Sequence, residues 1–207
     1  MPPGLSTTRV RRCPPRWSPW PAGSATPANP SGTWSAPGRS PVTRPCISCR
    51  FNGYRDLGPI HLDRMLGTGP LVLALVRYAG SPACDAALRS YRAHLQPELP
   101  RLGAHLVAVS PQASQRLAAV KHREELGYLV ASDPRHVLID ALNIGFGHPG
   151  ADVVLGTGRS VLPFASVVVV DRAGVVRFAE VRAGWSGPIP PGRVIDTVRC
   201  LTNPSTY

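Results

Sequence analysis

The sequence predicts an α/β domain from about residue 57 to residue 201, built on a largely parallel sheet with helices packed against it. Three observations lead to this fold class. Short apolar runs bounded by glycine or proline alternate with segments of helical periodicity. Three of these runs lead directly into a helix-start signal. Near the end of the chain, two valine-rich runs flank a turn that contains glycine.

The first strand is predicted at residues 71–76, an uninterrupted apolar run. Such a run is typical of a central strand that is covered on both faces. A helix should follow at once, with Ser81 as its N-cap and Pro82 as its first residue. Apolar side chains then recur at three- and four-residue spacing, namely Cys84, Ala87, Leu88, Tyr91 and Leu95. Cys84 is therefore expected at the inward edge of the first helical turn.

The next two units repeat this order of strand and helix. A strand at residues 104–109 precedes Ser110-Pro111, which again reads as a cap and a proline, before a helix that runs to Leu126. A short strand near residues 128–131 precedes Asp133-Pro134, which opens a helix that ends at Gly145. The apolar stripe of that helix is Val137, Leu138, Ala141 and Leu142. Three consecutive units of this kind predict parallel strands.

The last part of the domain has a different pattern. Residues 146–163 show no regular period and are predicted to be irregular. Residues 167–170 and 175–178 flank Asp-Arg-Ala-Gly, which predicts a β-hairpin with glycine in its turn. The final helix starts near Pro191 and carries Val194, Val198 and Leu201 on one face.

The first 50 residues differ in composition from the rest. They contain 11 of the 24 prolines, with serine, glycine and threonine between them and no helix or strand period. This composition predicts disorder. The expected organisation is a low-complexity, disordered, Pro-rich tail at residues 1–50 and a folded domain at residues 51–207.

The charge of the chain does not by itself indicate a nucleic-acid partner. Residues 1–50 carry +7 of the net charge of +11, because they contain seven arginines and no acidic residue. The folded part is only mildly basic, and no aromatic residues alternate with arginines on a surface predicted to be ordered. We expect no nucleic-acid partner.

Cysteine usage and hydropathy indicate the compartment. The five cysteines are odd in number and irregularly spaced, unlike the paired framework of a small secreted domain. The longest strongly apolar run is far shorter than the ~18 residues of a membrane span. No apolar stretch follows Arg11-Arg12 as an export signal requires. A soluble, cytoplasmic protein without membrane contact is expected.

A strand, a capping hydroxyl residue, two further residues and a cysteine in the first helical turn form a recognisable pattern. Ser-Pro-Ala-Cys at residues 81–84 resembles the Thr/Ser-x-x-Cys signature of peroxiredoxins. Other segments are similar to the peroxiredoxin-like branch of the AhpC/TSA redoxins, at residues 106–112, 132–134, 141–145 and 170–178. The resemblance implies a thioredoxin-like fold with a central mixed sheet and helices on both faces.

The same resemblance implies a peroxidase that reduces hydrogen peroxide or small organic hydroperoxides through one reactive cysteine, Cys84. Attack on a peroxide requires a thiolate, which the amides and partial positive charge of a helix N-terminus stabilise. The Ser81 hydroxyl is then expected to hydrogen-bond the thiolate and the substrate. The sulfur becomes a sulfenic acid, which an external thiol or a thioredoxin-type reductant reduces. A homodimer is compatible with the family, and no cofactor is expected.

One departure from the family concerns its arginine. Peroxiredoxins hold the thiolate and peroxide with an arginine from the strand before the hairpin, where this chain has Ala165 and Ser166. Arg77 and Arg159 are the candidate substitutes. Arg77 is the better candidate, because it ends the strand that leads to Cys84 and aligns with an arginine common in the peroxiredoxin-like branch. The predicted catalytic residues are therefore Cys84, Ser81 and Arg77.

Other features keep alternatives open. Asp85 places a carboxylate beside the thiol, which disfavours its ionisation. A lone cysteine on an apolar stripe is also a common core residue. If Cys84 is inert, the chain is a catalytically silent scaffold that binds a protein partner. A thiol-disulfide reductase is less favoured, because Ser81 stands where the first cysteine of a Cys-Pro-x-Cys motif would be.

The remaining cysteines and the histidines give weaker signals. Cys46 and Cys49 form a Cys-x-x-Cys pair, but they lie in the tail and have no second pair. Cys200 falls off the apolar face of the final helix, and a surface cysteine without function is more common there than a resolving thiol. The histidines have no metal-ligand spacing, and no metal site is predicted.

Overall fold

The structure is a computed structural model that describes residues 53–55, 58–182 and 189–203. The tail predicted at residues 1–50, with Cys46 and Cys49, lies outside the described residues. In chain order the elements are β1 (Gly53–Arg55), β2 (Gly58–Ile60), α1 (Leu62–Thr68), β3 (Leu71–Leu75), α2 (Pro82–Arg101), β4 (His105–Ser110), α3 (Ser114–Arg123), β5 (Leu129–Ser132), α4 (Val137–Ala141), β6 (Gly145–Gly147), α5 (Ala151–Leu155), β7 (Val161–Pro163), β8 (Ala165–Val170), β9 (Val176–Arg182) and α6 (Pro191–Thr202).

Five strands form the central sheet in the order β5-β4-β3-β8-β9. β3 runs parallel to β4, and β4 runs parallel to β5. β8 lies antiparallel to β3, and β9 lies antiparallel to β8. Helices connect the parallel strands and a short turn connects β8 to β9, as the geometry of each kind of pair requires. The mixed sheet of a thioredoxin-like fold is thus confirmed.

Helices cover both faces of this sheet. One apolar core lies between the sheet and α2, α3 and α6, and a second lies between the sheet and α1 and α4. Alternate residues of β3 serve the two cores: Val72 and Ala74 face the first, and Leu71, Leu73 and Leu75 face the second. The whole strand is buried, which explains its uninterrupted apolar sequence.

The hairpin between β8 and β9 is confirmed. Gly174 has a φ of +76°, a conformation that glycine adopts without strain. The Asp171 carboxylate accepts hydrogen bonds from the amides of Ala173 and Val175, each at 2.9 Å. The turn is therefore closed by a local side-chain contact, as expected for aspartate at this position.

The helix predicted after residues 110–111 begins later than expected. β4 continues through Ser110, and α3 starts at Ser114. The Ser110 hydroxyl accepts a hydrogen bond from the Gln112 amide at 3.3 Å, so it caps a turn and not the helix. The helix also ends before Leu126. The prediction of its boundaries was wrong because a serine before proline fits a strand end as well as a helix start.

The helix predicted to open at residues 133–134 is shorter than expected. α4 begins at Val137, but the Asp133 carboxylate still accepts hydrogen bonds from the amides of its first three residues at 2.8, 2.9 and 3.3 Å. Val137 was expected in the apolar stripe and is instead 41% exposed, whereas Leu138 and Ile139 are fully buried. Gly145 does not end this helix but begins β6.

Residues 146–163 were predicted to be irregular and instead contain most of β6, all of α5 and β7. Each element has three to five residues, which is too short to show a period. Their apolar side chains Ala151, Leu155 and Leu162 form a small cluster that packs on Tyr78 and Phe146. This segment thereby lies beside the chain that follows β3.

α2 has 20 residues and contains two interior prolines, Pro97 and Pro100. Each proline lacks the N–H that would continue the helical hydrogen-bond ladder. Leu95 and Leu99 are fully buried and fix this end of the helix by packing. Neither α2 nor any other helix in the described part of the chain is long and apolar enough to cross a membrane.

His136 precedes α4 and is fully buried. It has a φ of 59°, and its Nδ1 lies 3.0 Å from an N–H nitrogen of Arg159. Burial lowers the pKa of His136, and the positive charge of Arg159 lowers it further. The ring therefore resists protonation in the folded chain at a pH where the unfolded chain accepts a proton.

This shift predicts that acid weakens the fold through His136. Above the unfolded-state pKa of about 6.5 the group has no effect, and as pH falls below it the unfolded chain binds an extra proton. Urea unfolding between about pH 8 and pH 5 should show a steeper loss of stability in the wild type than in His136→Gln. Arg159→Gln should reduce the slope, because it removes the second cause of the shift. Identical slopes in all three proteins would contradict this interpretation.

Gly69 provides a test of the packing at the amino end of β3. A Cβ atom there would lie 1.9 Å from the backbone oxygen of Gly103, whereas a Cβ at Gly67 would meet nothing within 4 Å. We expect Gly69→Ala to lower the free energy of unfolding by about 1–3 kcal/mol. Gly67→Ala, within α1, should leave it unchanged or raise it by up to about 1 kcal/mol. Denaturant titration measures both, and equal stability of the two variants would refute the close contact.

Candidate active site

The candidate site lies where β3 ends and α2 begins. Gly80 has a φ of +100°, which lets the chain turn sharply before the helix. Ser81 follows in an extended conformation as the N-cap, and Pro82 is the first helical residue. Cys84 lies in the first turn of the helix, as the sequence predicted.

Ser81 and Cys84 are in direct contact. The Ser81 Oγ accepts a hydrogen bond from the Cys84 amide at 3.2 Å, and the Ser81 carbonyl accepts the Asp85 amide at 2.9 Å. Both Ser81 and Cys84 are buried, each with 6% of its surface exposed. Cys84 also belongs to the core beneath α2. Its position therefore suits a reactive thiol at a helix N-terminus and also a core residue.

A buried glutamine holds the chain that leads into this turn. The Gln112 Oε1 accepts a hydrogen bond from the Ala79 amide at 2.7 Å, and its Nε2 donates to the Ala79 carbonyl at 3.2 Å. The Ser132 hydroxyl donates to the Gln112 carbonyl, which ties the ends of β4 and β5 together. Sequence analysis did not identify Gln112 as a site residue. Its only signal was a polar residue directly after a buried strand.

Asp85 is paired within the same turn. Its Oδ1 accepts the Gly80 amide at 2.7 Å, and its Oδ2 accepts a hydrogen bond from Arg123 at 2.8 Å. Sequence analysis expected this carboxylate to disfavour the Cys84 thiolate. In the structure, Arg123 balances the negative charge of Asp85, so its repulsion of the neighbouring sulfur is weakened.

Arg77 follows β3 and is 98% buried, since only 2% of its surface is exposed. Its Nη2 donates to the Arg182 carbonyl at 3.4 Å, and its guanidinium carbon lies 5.6 Å from the Phe146 ring centroid. Phe146 in turn stacks on Phe164 at 4.6 Å between centroids. Burial lowers the pKa of Arg77, and the negative charge of ionised Cys84 acts in the opposite direction. Arg77 and Cys84 therefore share one electrostatic environment.

The other positions identified from the sequence are Arg159, Ala165 and Cys200. Arg159 contacts His136, whereas Arg77 lies just after β3, the strand that leads into the Cys84 turn. Ala165 is the first residue of β8, and its side chain carries no charge. Cys200 lies on α6 and is half-buried. Within residues 58–182 and 189–203, no group of three or more histidine, cysteine or acidic side chains is placed to hold a metal ion.

Comparison with protein families gives one match. The model of the AhpC/TSA family matches residues 50–179, which is more than half of the chain. Comparison with curated proteins finds no match.

Solved structures with the same fold include several peroxiredoxins. Peroxidoxin BcpB from Mycobacterium tuberculosis is 20% identical over 69% of this chain and 86% of its own, with a TM-score of 0.59. Peroxiredoxin 6 of Arenicola marina is 14% identical over 80% and 76%, with a TM-score of 0.64. A yeast mitochondrial 1-Cys peroxiredoxin, solved to study thiol resolution by glutathione and thioredoxin systems, is 17% identical over 77% and 76%, with a TM-score of 0.59. At these identities the likeness shows the shared fold.

The two hydrogen bonds from Gln112 to Ala79 predict a clear effect of its removal. Gln112→Ala leaves a buried N–H and C=O without their partner and should lower the free energy of unfolding by about 2–4 kcal/mol. The exposed Gln115→Ala is the matched control and should change it by less than about 0.5 kcal/mol. Denaturant unfolding of both variants measures the difference. A Gln112→Ala protein as stable as the control would show that the loop does not depend on this side chain.

Proposed function

Because the chain belongs to the AhpC/TSA family, we propose that it is a thiol peroxidase that reduces hydrogen peroxide or small organic hydroperoxides at Cys84. The observation that carries this proposal is the position of Cys84 in the first turn of α2, with the buried Arg77 just after β3, the strand that leads into this turn. Helix amides and a guanidinium both favour a thiolate over a thiol. A thiolate is the form that attacks a peroxide.

The proposed reaction is a displacement at oxygen. The Cys84 thiolate attacks the distal oxygen of the hydroperoxide, so that an S–O bond forms as the O–O bond breaks. The sulfur is oxidised by two electrons to a sulfenic acid, and the peroxide is reduced to an alkoxide or hydroxide. This leaving group takes up the proton that the thiol lost on ionisation and departs as an alcohol or water.

Ser81 and Arg77 have separate roles in this proposal. The Ser81 oxygen accepts the Cys84 amide, and its own hydroxyl proton can donate toward the sulfur or the bound peroxide. Arg77 supplies positive charge to the thiolate and to the oxygen on which negative charge develops. Its contacts with the Arg182 carbonyl and the Phe146 ring fix its position. Its place at the end of β3 brings it to the edge of the sheet where α2 begins.

An external thiol is proposed as the reductant. Cys84 and Cys200 are the cysteines in the described part of the chain, and they lie on different helices, Cys84 at the start of α2 and Cys200 on α6. One external thiol would attack the sulfenic acid, form a mixed disulfide and release water. A second would then release the Cys84 thiol and leave as a disulfide. Glutathione or a thioredoxin-type protein has the required chemistry.

A catalytically silent scaffold is the second candidate function. The burial of Cys84 among the residues beneath α2 favours it, because a peroxide must reach the sulfur. A thiol-disulfide reductase is less favoured, since Ser81 caps the helix where a second thiol would be needed.

Trapping of the oxidised cysteine separates these functions. Brief treatment with hydrogen peroxide followed by dimedone should label the Cys84 peptide, identified by mass spectrometry. Cys84→Ser should reduce peroxide consumption with a thiol reductant to the rate without protein. Cys200→Ser is the matched control and should retain both labelling and turnover. An unlabelled Cys84 peptide in the folded wild type would favour the scaffold.

A further inference from the structure

A thiolate at the buried Cys84 would need compensating positive charge nearby. The sulfur lies in a residue that is 6% exposed, and an ion removed from water is unfavourable unless it is compensated. Arg77 is itself buried, so part of its interaction with Cys84 offsets its own loss of hydration. The other end-of-strand residues at this edge of the sheet are therefore relevant to the site.

Arg182 is the last residue of β9, and the strand register places it at this edge. It lies directly opposite Ala165, the first residue of β8. Opposed residues of antiparallel strands point to the same face of a sheet. Val167 and Val169 follow Ala165 on β8 by two and four residues. Both belong to the core beneath α2, which also contains Cys84. The side chain of Arg182 therefore lies on the Cys84 face of the sheet.

The first residue of β8 is an alanine, so β8 itself has no charged side chain opposite Arg182. Neighbouring strands are about 4.8 Å apart, a distance shorter than the reach of an arginine side chain. The Arg182 guanidinium, which Glu180 holds on β9, therefore lies about one strand spacing from the space in front of β8. β8 lies between β9 and β3 in the sheet. Arg77 is located just after the end of β3.

Two contacts connect Arg182 to the Cys84 site. Arg77 donates to the Arg182 backbone carbonyl at 3.4 Å. Tyr91 lies two helical turns after Cys84 on the same face of α2, and burial raises its pKa to about 12. The positive charge of Arg182 and the negative charge of ionised Cys84 act on this hydroxyl in opposite directions. Tyr91 thus lies within the electrostatic range of both groups.

We propose that Arg182 is a positioning residue of the Cys84 site, whose side chain supplies the positive charge that β8 lacks and whose carbonyl orients Arg77. The proposal rests on the proposed function, because it takes the Cys84 thiolate as the reacting form. The step that it assists is the ionisation of the Cys84 thiol, with the proton passing to water.

Glu180 sets how much of this charge acts on the site. Its Oε1 accepts hydrogen bonds from Arg182 at 2.9 and 3.3 Å, and its Oε2 accepts one from Arg193 at 3.1 Å. Glu180 therefore neutralises part of the Arg182 charge, while its other oxygen binds Arg193. Arg193 belongs to α6 and has 68% of its side chain exposed, so its charge is well screened by solvent.

The test uses full-length Arg182→Gln, Arg182→Lys, Glu180→Gln and Arg193→Gln. The rate at which iodoacetamide alkylates Cys84 reports the thiolate fraction and is read from the Cys84 peptide by mass spectrometry. At about pH 7, Arg182→Gln should slow alkylation by about three- to tenfold, and Arg182→Lys should restore most of the rate. Glu180→Gln should accelerate it. Arg193→Gln, the matched control that loses a charge from the same cluster, should change it by less than about twofold.

The pH profile separates charge from structure. At a pH high enough for the alkylation rate of each protein to have reached its plateau, the rate in Arg182→Gln should return to the wild-type rate. A slower rate by the same factor at both pH values, or no change at pH 7, would overturn the proposal. Peroxide oxidation of Cys84 that is insensitive to Arg182→Gln at pH 7 would overturn it while the proposed function stands. If the alkylation rate depends on Arg182 but Cys84 forms no sulfenic acid, the proposal for Arg182 is supported and only the peroxidase function is rejected.

Discussion

The short connection between β3 and α2 is the constraint on which the site depends. Gln112 binds both the N–H and the C=O of Ala79, and Asp85 accepts the amide of Gly80. Ser81 then accepts the amide of Cys84. Four backbone groups of the turn and the first helical turn are thus each hydrogen-bonded to a side chain. The start of α2 is therefore fixed, and with it the position of Cys84 relative to the sheet.

The charges around this turn differ in how they are compensated. The carboxylate of Asp85 is balanced by the guanidinium of Arg123, and this pair stabilises the loop. Arg77 is buried, and its guanidinium contacts a carbonyl oxygen and an aromatic face. A buried cation held in this way is costly in free energy, since desolvation lowers its pKa. That cost is offset when a negative charge lies nearby, and an ionised Cys84 is one such charge.

The fold and the cysteine position could be predicted because they depend on local patterns. The apolar run of β3, the serine and proline at the start of α2 and the glycine of the hairpin each fix one element without information from distant residues. The contribution of Gln112 could not be predicted, since its partner Ala79 is brought to it by sheet pairing alone. The same holds for Arg182, which reaches the site through its register with β8. Short elements such as β6, α5 and β7 were missed because they have no period and depend on packing.

The two prolines of α2 make the helix uneven along its length. Its first turn is capped by Ser81 and tied to the loop, whereas Pro97 and Pro100 remove amide donors from the last turns. The end away from the cysteine is thus held by buried leucines more than by its own backbone. Spontaneous local opening should begin there and leave the end that carries Cys84 protected, so that exchange of amide protons with solvent would form a gradient along the helix. Fraying at the carboxyl end of α2 can then occur without moving the turn that contains Ser81 and Cys84.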